Sequence, residues 1–544
     1  MSSSSSHDVI IIGGGINGTG VARDLALRGL KPILFEKGDL SVGATWASSG
    51  FIHGGLRYLL YDVGTTKQSC IDSGYIQGIV PFLLFRLPII FPIIPGETHS
   101  IEKVETLLEA YDHFAPYKNG KLHCRLTRDE VFELEPGLSE RITGAVTFDE
   151  WGIDSTRLCI LNARDAEKHG AVIKLYHEVI KINREGGNVT GVKVRDLRGG
   201  SEIAVKAPLT INLSGAWIPR IAGMAGVEVK IRPGKGIHLV LDRKLTNVGI
   251  IMQAIDRRSV FIIPYSNYSL VGTTDTDHFG DPDNLDIYRS EVDYLLEAVN
   301  RLFPTSRFAR IIRTFAGVRS TAYARGKNAD ELSREHQIID HEKGDGVGGF
   351  ITMLGGKLAT YRVMAEELTD LVLHKFKMKE KCSTHILPLP GAEAKVDRDK
   401  ISENYIISEV AADKLIARHG TMCEKILGNR DLNHILCLCE PVLESEAGYV
   451  FKNEWCETLS DLARRTKFGI GPCGGAFCLH RGMDLLHENK KRTTKEVFAD
   501  LKSFLNEQWH WRRPVIEGAQ TVQEELNYAL LINSANIDRA LSNE

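Results

Sequence analysis

A glycine-rich turn near the start of the chain has the residues and spacing needed to bind a dinucleotide. An apolar run of Ile and Val precedes the sequence GGGING (13–18), and an apolar helical pattern follows it. In this setting Gly13 permits the turn, Gly15 lets a pyrophosphate approach the backbone, and Gly18 allows close helix–strand packing. Glu36 ends the next apolar segment, where a carboxylate accepts hydrogen bonds from a ribose. The fingerprint predicts NAD or FAD without separating the two.

Two close pairs of cysteines form a second chemical feature. One residue separates Cys437 from Cys439, four residues separate Cys473 from Cys478, and 33 residues lie between the pairs. Four thiolates in two pairs bind a metal centre, and disulfides are disfavoured in a reducing cytoplasm. Zinc sites favour pairs spaced by two residues, so this spacing favours iron–sulfur. A zinc site that only staples the C-terminal region is one alternative, and unrelated buried cysteines are another.

The overall composition is that of a globular protein. The 544 residues are 43% hydrophobic and 25% charged, which excludes a disordered, collagen-like or coiled-coil chain. With 67 Lys plus Arg against 70 Asp plus Glu, the formal charge is -3. The sequence as a whole has no excess of positive charge that would favour binding to a nucleic acid. The serine-rich residues 1–7 are expected to be a disordered tail, and the lack of a targeting signal predicts a cytoplasmic protein.

One apolar stretch could touch a membrane. Residues 79–95 read IVPFLLFRLPIIFPIIP, and four prolines and an arginine interrupt them before the roughly 20 residues that a membrane helix needs. Burial in the core is the favoured interpretation, because apolar runs are usually interior. A surface that lies on lipid or on a partner is the alternative. The chain is therefore expected to be soluble, or peripheral on the inner face of the cell membrane.

The pattern of elements predicts an α/β fold. A strand–turn–helix–strand unit spans 8–36, short strands fill 171–213, and further β segments run through 238–275. A helix is expected from Ser290, with Ser290 and Asp293 as its capping box. A second strand–glycine–helix element covers 350–376. Residues 386–400 resemble a linker, and 401–544 have a mainly helical character.

Several motifs together resemble flavin-dependent glycerol-3-phosphate dehydrogenases. The motifs are the segment 8–36, SSGFIHGGLRY (48–58), GKGIHL (234–239), VGTTD (271–275), GVR (317–319) and GGKLATYR (355–362). They are collinear and cover about residues 8–380. The resemblance implies non-covalent FAD in a Rossmann-like domain interleaved with a mixed β-sheet substrate domain, together spanning 8–385. The FAD-binding parts would be about 8–75, 150–220 and 335–380, and the substrate-cap parts about 76–149 and 221–334.

The resemblance also implies site residues. The cofactor would be bound by Gly13, Gly15, Ile16, Asn17, Gly18, Glu36, Lys37, Thr45, Ser48, Ser49, Val179, Gly215, Gly356 and Leu358. Substrate binding would fall to Arg57, Tyr58 and Arg334, where the Arg334 match is looser. His238, Arg319 and Lys357 would be catalytic.

The residue types suit oxidation of a phosphate-bearing secondary alcohol. An arginine fork binds phosphate oxygens in pairs, which fits Arg57 and Arg319, while Lys357 adds a point charge. An imidazole titrates near neutrality, so His238 is the candidate base for the hydroxyl proton. The amides of Gly355–Gly356 are expected to face the flavin's pyrimidine oxygens and to stabilise the reduced ring.

The sequence RRTKFGIGPCGGAFC (464–478) resembles bacterioferritin-associated-ferredoxin-like 2Fe–2S domains. Such domains are also fused to the flavin-binding subunit of the anaerobic type of glycerol-3-phosphate dehydrogenase. The resemblance places a 2Fe–2S domain at about 432–485, with Cys437, Cys439, Cys473 and Cys478 as ligands. It implies that glycerol 3-phosphate reduces FAD and that electrons pass through the cluster to partner subunits and a quinone.

Two other functions are compatible with the same motifs. An amine or amino-acid dehydrogenase of the same flavin superfamily would bind a carboxylate, for which fewer cations suffice. A non-catalytic iron–sulfur carrier or scaffold would keep the flavin fold without turnover. Bleaching of the flavin by substrate under anaerobic conditions separates an enzyme from a scaffold.

Overall fold

The structure is a computed structural model that describes residues 7–60, 62–323, 335–534 and 536–542. Residues 1–6 of the expected tail, Arg334 and the side chain of Arg57 lie outside this described part.

The described residues form strands and α-helices that we number in chain order. The strands are β1 Val9–Ile12, β2 Pro32–Phe35, β3 Leu84–Ile93, β4 Cys124–Thr127, β5 Gly144–Ile153, β6 Val172–Lys174, β7 His177–Glu185, β8 Asn188–Asp196, β9 Glu202–Lys206, β10 Leu209–Asn212, β11 Ile231–Leu241, β12 Gly249–Gln253, β13 Ser259–Tyr265, β14 Tyr268–Gly272, β15 Thr276–Asp277, β16 Ile311–Ala322, β17 Gln337–Asp340, β18 Phe350–Leu354, β19 Ile435–Cys437 and β20 Val442–Leu443. The helices are α1 Ile16–Leu27, α2 Val63–Ile79, α3 Ile101–Asp112, α4 Arg128–Leu134, α5 Ser155–Lys168, α6 Ile218–Met224, α7 Arg289–Leu302, α8 His341–Gly344, α9 Tyr361–Phe376, α10 Arg398–Tyr405, α11 Glu409–His419, α12 Cys423–Leu427, α13 Glu444–Asn453, α14 Leu459–Thr466, α15 Leu479–Lys490, α16 Thr494–Arg512, α17 Ala519–Ser534 and α18 Ile537–Ser542.

A mainly parallel sheet of order β17-β18-β10-β1-β2-β6 carries the glycine-rich turn. Its four inner strands, β18, β10, β1 and β2, are mainly apolar runs buried on both faces, as parallel strands between covering layers must be. Helices α1, α5 and α9 cover one face, and the antiparallel sheet β7-β8-β9 and α6 lie over the other. The predicted strand–turn–helix–strand unit is thereby confirmed, and Gly29 follows the end of α1 with a φ of +87°.

A larger mixed sheet faces the first one and has the order β15-β11-β14-β13-β12-β3-β5-β4, with β16 paired to β11. The long pairing of β11 with β16 sets Gly236 opposite Gly317 and Gly234 opposite Arg319. These two strands carry His238 and Arg319. The predicted α/β architecture, with a mixed sheet and a helical C-terminal region, is confirmed.

The apolar stretch 79–95 supplies β3, which pairs with β5 along its whole length and with β12 at Ile89 and Ile90. Both isoleucines and Leu87 are buried, so the favoured interpretation of this stretch as core is confirmed. Phe85 stays 42% exposed near the start of the strand. In the part of the chain that the structure describes, no helix combines the length and the apolar character needed to cross a bilayer.

The capping-box prediction at α7 is wrong. The helix begins at Arg289 after the cap residue Tyr288, two residues before the predicted cap Ser290, so its third position is Glu291. The Glu291 carboxylate accepts the backbone N–H of Tyr288 at 3.0 Å. Asp293 instead pairs with Arg289 on the exposed side of the helix, because residues four apart share a helix face.

The C-terminal region is helical, as predicted, with a short β19–β20 hairpin at the first cysteine pair. Its own apolar core packs α13 to α18 around this hairpin. Buried ion pairs join it to the N-terminal part of the chain (8–385): Arg157 pairs with Glu454 at 2.6 Å, and Arg465 with Asp39 at 2.6 Å.

Candidate active site

A large cavity of about 1560 Å³ lies between the carboxyl end of the parallel sheet and the mixed sheet. Its volume exceeds the ~300–1,000 Å³ of an ordinary small-molecule site, so it has room for a large cofactor and a substrate together. Most of the predicted site residues line it: Gly13, Gly15, Ile16, Asn17, Glu36, Lys37, Thr45, Ser48, Ser49, Tyr58, Val179, Gly215, His238, Arg319, Gly356, Lys357 and Leu358.

The glycine-rich turn has the geometry that the fingerprint requires. Gly13 has a φ of +116°, and a Cβ there would lie 2.5 Å from the carbonyl oxygen of Leu213. A Cβ on Gly18 would lie 1.9 Å from the carbonyl oxygen of Gly13, and Gly18 does not line the cavity. Gly18 therefore acts through packing, as its place in the fingerprint predicts, and not through contact with a ligand. Gly15 lines the cavity, and a Cβ there would have a single neighbour within 4 Å, Thr45 Oγ1 at 3.3 Å.

Glu36 already has partners within the turn. Its two carboxylate oxygens accept the backbone N–H groups of Gly14 at 2.7 Å and Gly38 at 2.8 Å. Burial raises the pKa of Glu36, and these two bonds oppose that effect. Each carboxylate oxygen has a second lone pair, so the predicted ribose contact stays compatible with this geometry. Nearby, Thr45 Oγ1 accepts the Ile16 N–H at the start of α1 at 3.1 Å.

His238 lies on β11 and is 2% exposed. Its Nε2 is 2.8 Å from the hydroxyl of Ser49, and its ring stacks on Phe315 with 4.8 Å between centroids. Nδ1 is buried without a hydrogen-bond partner among the described residues. Burial and then the charge of Arg319 lower the pKa of His238 to about 3, so the imidazole is neutral at physiological pH.

Arg319 extends from β16, two strand positions beyond Gly317 on the same face. It donates to Thr273 Oγ1 at 3.3 Å and to Asp275 Oδ1 at 3.4 Å. Asp275 and Thr273 belong to the VGTTD motif, which therefore orients this arginine toward the cavity. The side chain is 26% exposed, so its charge is only partly desolvated.

Lys357 follows two glycines whose φ values of +80° and +82° turn the chain after β18. A Cβ on Gly356 would lie 2.2 Å from the Met364 sulfur, so only glycine fits there. The Lys357 ammonium lies 3.7 Å from the ring centroid of Tyr58 and donates to Ser69 Oγ at 3.1 Å. The predicted lysine and tyrosine are therefore brought together on one side of the cavity.

Sequence reasoning missed a buried acidic group on the cavity wall. Glu150 forms an ion pair with Lys118 at 2.9 Å, accepts the Tyr111 hydroxyl at 2.6 Å and accepts the Gly54 N–H at 3.2 Å. It thereby fixes the glycine pair just before Arg57 and Tyr58. The partners come from separate helices and strands, so no local motif marks them.

The four cysteines of the predicted metal site lie together at the β19–β20 hairpin and at the start of α15. The Cys478 thiol donates to Cys437 and lowers the pKa of Cys437 to about 6, assisted by the backbone N–H groups of Glu440 and Gly469. The Cys439 thiol donates to Cys473. No group of three or more His, Cys, Asp or Glu side chains in the described residues has a geometry that could hold a metal ion. The thiols are two hydrogen-bonded pairs.

The cavity fits FAD by its own chemistry. The open backbone at Gly15 and the N-terminus of α1 suit a pyrophosphate, and the cavity continues to the turn at Gly356. The sequence matches the family model for FAD dependent oxidoreductases over residues 8–362, which is more than half of the chain. The chain belongs to the FAD-dependent oxidoreductase family. A second model, the C-terminal domain of alpha-glycerophosphate oxidase, matches residues 382–496.

Within this family, the chain is similar to particular curated relatives along most of its length. One subunit of the anaerobic glycerol-3-phosphate dehydrogenase of Escherichia coli strain K12 is 33% identical over 520 residues, which cover 95% of this chain and 94% of the relative. The corresponding subunit of the Haloferax volcanii enzyme is 31% identical over 552 residues, covering 98% and 91%. The predicted resemblance to the anaerobic type is confirmed as relatedness along nearly the whole chain.

A solved structure supports the fold. The glycerol-3-phosphate dehydrogenase from Bacillus halodurans, complexed with FAD, superimposes with a TM-score of 0.73 and 22% identity, covering 95% of this chain and 97% of that one. The family and this fold together make FAD the cofactor of the enzyme. Neither of them shows the predicted iron–sulfur cluster.

Proposed function

We propose that this chain oxidises sn-glycerol 3-phosphate to dihydroxyacetone phosphate, with FAD as the hydride acceptor. The observation that carries the proposal is the convergence of two cations, Arg319 and Lys357, with a neutral histidine on the wall of the FAD cavity. A phosphate dianion needs such cations, while an amino-acid substrate would need fewer. The names of the 33%- and 31%-identical relatives support the same substrate.

Each group would have a separate task. Arg319 would bind two phosphate oxygens through its planar fork, held in orientation by Asp275. Lys357 would add a second positive charge, fixed over Tyr58. From the resemblance, Arg57 and Arg334 would complete the phosphate site.

The reaction removes a hydride from carbon 2 and a proton from its hydroxyl. When bound, FAD supplies the hydride acceptor. His238 would take the proton at Nε2, either directly or through the hydroxyl of Ser49, and its neutral state leaves it able to accept. The N–H groups near Gly356 would hold the pyrimidine edge of the ring.

We further infer that Cys437, Cys439, Cys473 and Cys478 hold a 2Fe–2S cluster, which would carry single electrons onward. Two thiol pairs supply the two ligands that each iron requires, and backbone N–H groups already point at the sulfurs of Cys437 and Cys439. The relatives are named as one subunit of an enzyme, which supports partner subunits. From the resemblance, these subunits would pass the electrons to a quinone, with the chain peripheral on the inner membrane face.

Anaerobic titration with glycerol 3-phosphate tests the proposal. The flavin absorbance is expected to bleach with about one equivalent of substrate, and iron analysis with the paramagnetic signal of the reduced cluster is expected to follow. Bleaching by glycine or proline in place of glycerol 3-phosphate would overturn the substrate assignment. A purified protein without iron would overturn the cluster while leaving the oxidation intact.

Arg319→Ala is expected to lower kcat/KM by at least about 100-fold, because two charged hydrogen bonds worth about 1.5–3 kcal/mol each are lost. The bound flavin spectrum should be unchanged. Arg232→Ala is the matched control, since Arg232 pairs with the same Asp275 at 3.3 Å but does not line the cavity. Equal losses in both variants would assign Arg319 a structural role.

A further inference from the structure

A loop of the mixed sheet reaches the nucleotide end of the flavin cavity. This loop, which we call the strap, consists of residues 278–288 and joins β15 to α7. Its part 282–285 lines the cavity, as do Glu36 and Lys37 at the end of β2. Glu36 marks the end of the cavity where the ribose of FAD is predicted to lie. The strap therefore meets the nucleotide-binding unit from the opposite sheet.

The two ends of the strap are fixed to the mixed sheet. Ile287 is buried in the apolar core that contains β11 and α7. Lys235 on β11 donates to the carbonyl oxygen of Asp286 at 2.7 Å. At the other end, the backbone N–H of His278 donates to the carbonyl oxygen of Pro233, also on β11, at 2.9 Å. Both ends thus have anchors that do not depend on the far side of the cavity.

The middle of the strap is joined to the parallel-sheet side by ion pairs. One carboxylate oxygen of Asp283 accepts from Lys37, and the other accepts from Arg220 on α6 at 3.1 Å. Arg220 also donates to Asp281 at 2.9 Å. We call these four residues the clasp. Lys37 directly follows Glu36, so the clasp lies beside the predicted ribose ligand.

Two more contacts bring other parts of the chain to the clasp. The Lys37 ammonium lies 4.3 Å from the centroid of the Trp217 ring, which also lines the cavity. His510 on α16 donates from Nε2 to the carbonyl oxygen of Leu285 at 3.0 Å. The strap therefore contacts the C-terminal region as well as the nucleotide-binding unit.

The clasp is only partly buried, which distinguishes it from the ion pair of Asp39 with Arg465. Its four side chains are between 32% and 52% exposed. Partial burial alone would raise the pKa of Asp283, but the hydrogen bond and charge of Lys37 lower it, so the carboxylate is ionised at neutral pH. Exposed ion pairs contribute little singly and are screened by salt, whereas charges shared between pairs act as a network. Such a contact can open without leaving a charge buried.

We propose that the clasp closes the strap over the nucleotide end of the FAD cavity and sets the rate at which FAD leaves. Because residues 282–285 form the wall beside Glu36, the strap must move before a nucleotide bound there can leave by this end. The clasp residues act through the position of the strap and take no part in the oxidation. The inference goes beyond the proposed substrate, and its test needs no substrate.

The test is the rate of FAD release from the full-length, FAD-loaded protein after a large dilution, measured as free flavin in an ultrafiltrate. In Asp283→Asn, release is expected to be about 3- to 10-fold faster than in the wild type, because two partly exposed ion pairs are lost together. Wild-type release should accelerate several-fold between about 0.1 and 1 M salt, as the Debye length falls from about 10 to about 3 Å. Asp283→Asn should lose most of this salt dependence.

Glu202→Gln is the matched control. Glu202 pairs with two cations, Lys193 at 2.5 Å and Arg195 at 3.0 Å, is 32% exposed and does not line the cavity. This variant should release FAD at the wild-type rate and keep the wild-type salt dependence. When Arg220→Gln is combined with Asp283→Asn, release should be slower than the product of the two single effects predicts, because both substitutions remove the same ion pair.

Three results would overturn the proposal. The first is release from Asp283→Asn at the wild-type rate, and the second is an equal acceleration in Glu202→Gln. The third is an unchanged salt dependence in Asp283→Asn, since a general loosening of the fold would speed release and leave the screened ion pairs in place. Fully multiplicative effects of Arg220→Gln and Asp283→Asn would likewise show that the two residues contact FAD separately and do not act as a clasp.

Discussion

Asp39 joins the flavin half (8–385) to the C-terminal region through two arginines, and replacing it with Asn tests that junction. Its carboxylate accepts from Arg465 at 2.6 and 2.7 Å and from Arg464 at 2.9 Å. The Asp39 and Arg465 side chains are both fully buried. The two arginines lower the pKa of Asp39 to about 2, against the effect of burial.

The free-energy cost of Asp39→Asn comes from the arginine charge that stays buried without its carboxylate partner. Removing one partner of a buried ion pair costs about 3–5 kcal/mol, since the other charge stays buried. Local opening of the 454–467 segment should therefore become roughly two to four powers of ten more frequent. The stabilisation from Asp39 is complete above its unfolded pKa, near 3.9, and is lost as the pH falls through about 2, so the variant's deficit should be constant from pH 5 to 8.

Native-state hydrogen exchange with mass spectrometry measures that opening directly. Amides of α14 in Asp39→Asn should exchange faster than in the wild type by the stated factor, while those of β4 should not change. Asp293→Asn, which breaks the exposed pair with Arg289, is the control and should leave α14 unaffected. Exchange of α14 within threefold of the wild type in Asp39→Asn would refute the reasoning.

Two further predictions concern the flavin site. Gly18→Ala should abolish FAD binding, measured as flavin absorbance per protein, because the new Cβ would lie 1.9 Å from the Gly13 carbonyl oxygen. Gly78→Ala is the control, since Gly78 is also in a helix but a Cβ there would have no atom within 4 Å, and this variant should bind FAD normally. Equal loss of FAD in both variants would contradict the packing argument. His238→Ala should lower kcat by about 10²–10⁴ evenly between pH 5 and 9, because the base is already deprotonated down to its pKa of about 3. A wild-type acid limb near pH 6.5 that disappears in the variant would show that burial does not control this histidine.

The parts of the site that could be predicted from the sequence are those whose chemistry is local. The turn at Gly13 to Gly18 and Glu36 lie within one strand–helix–strand unit, so their spacing alone encodes the geometry. The Gly355–Gly356 turn before Lys357 is local in the same way. The cysteine pairs were recognisable because their spacing is short within each pair.

The rest depends on pairing between distant segments. His238 and Arg319 meet only because β11 and β16 pair along their length, and Glu150 meets Lys118 across β5 and the segment after α3. The hydrophobic pattern of the sequence predicted these strands but not their pairing register. Alternation of apolar and polar residues shows which face of a strand is buried, and it does not show which strand lies beside it. The capping-box error has a similar cause, because a helix start is uncertain by a residue or two without its contacts.

The buried charges bear on how electrons would leave the flavin. Arg157 and Asp39 belong to the flavin half, and their partners Glu454 and Arg465 to the C-terminal region, all with side chains at most 3% exposed. Movement of the C-terminal region away from the flavin half would separate both ion pairs. Each charge that stayed buried without its partner would cost several kcal/mol of free energy. The C-terminal region is therefore held in a fixed position beside the flavin cavity and is not a mobile domain on a flexible linker. Trp46 lies in that junction, between the cavity-lining loop 43–50 and the C-terminal core, so the loop and the core are packed directly against each other.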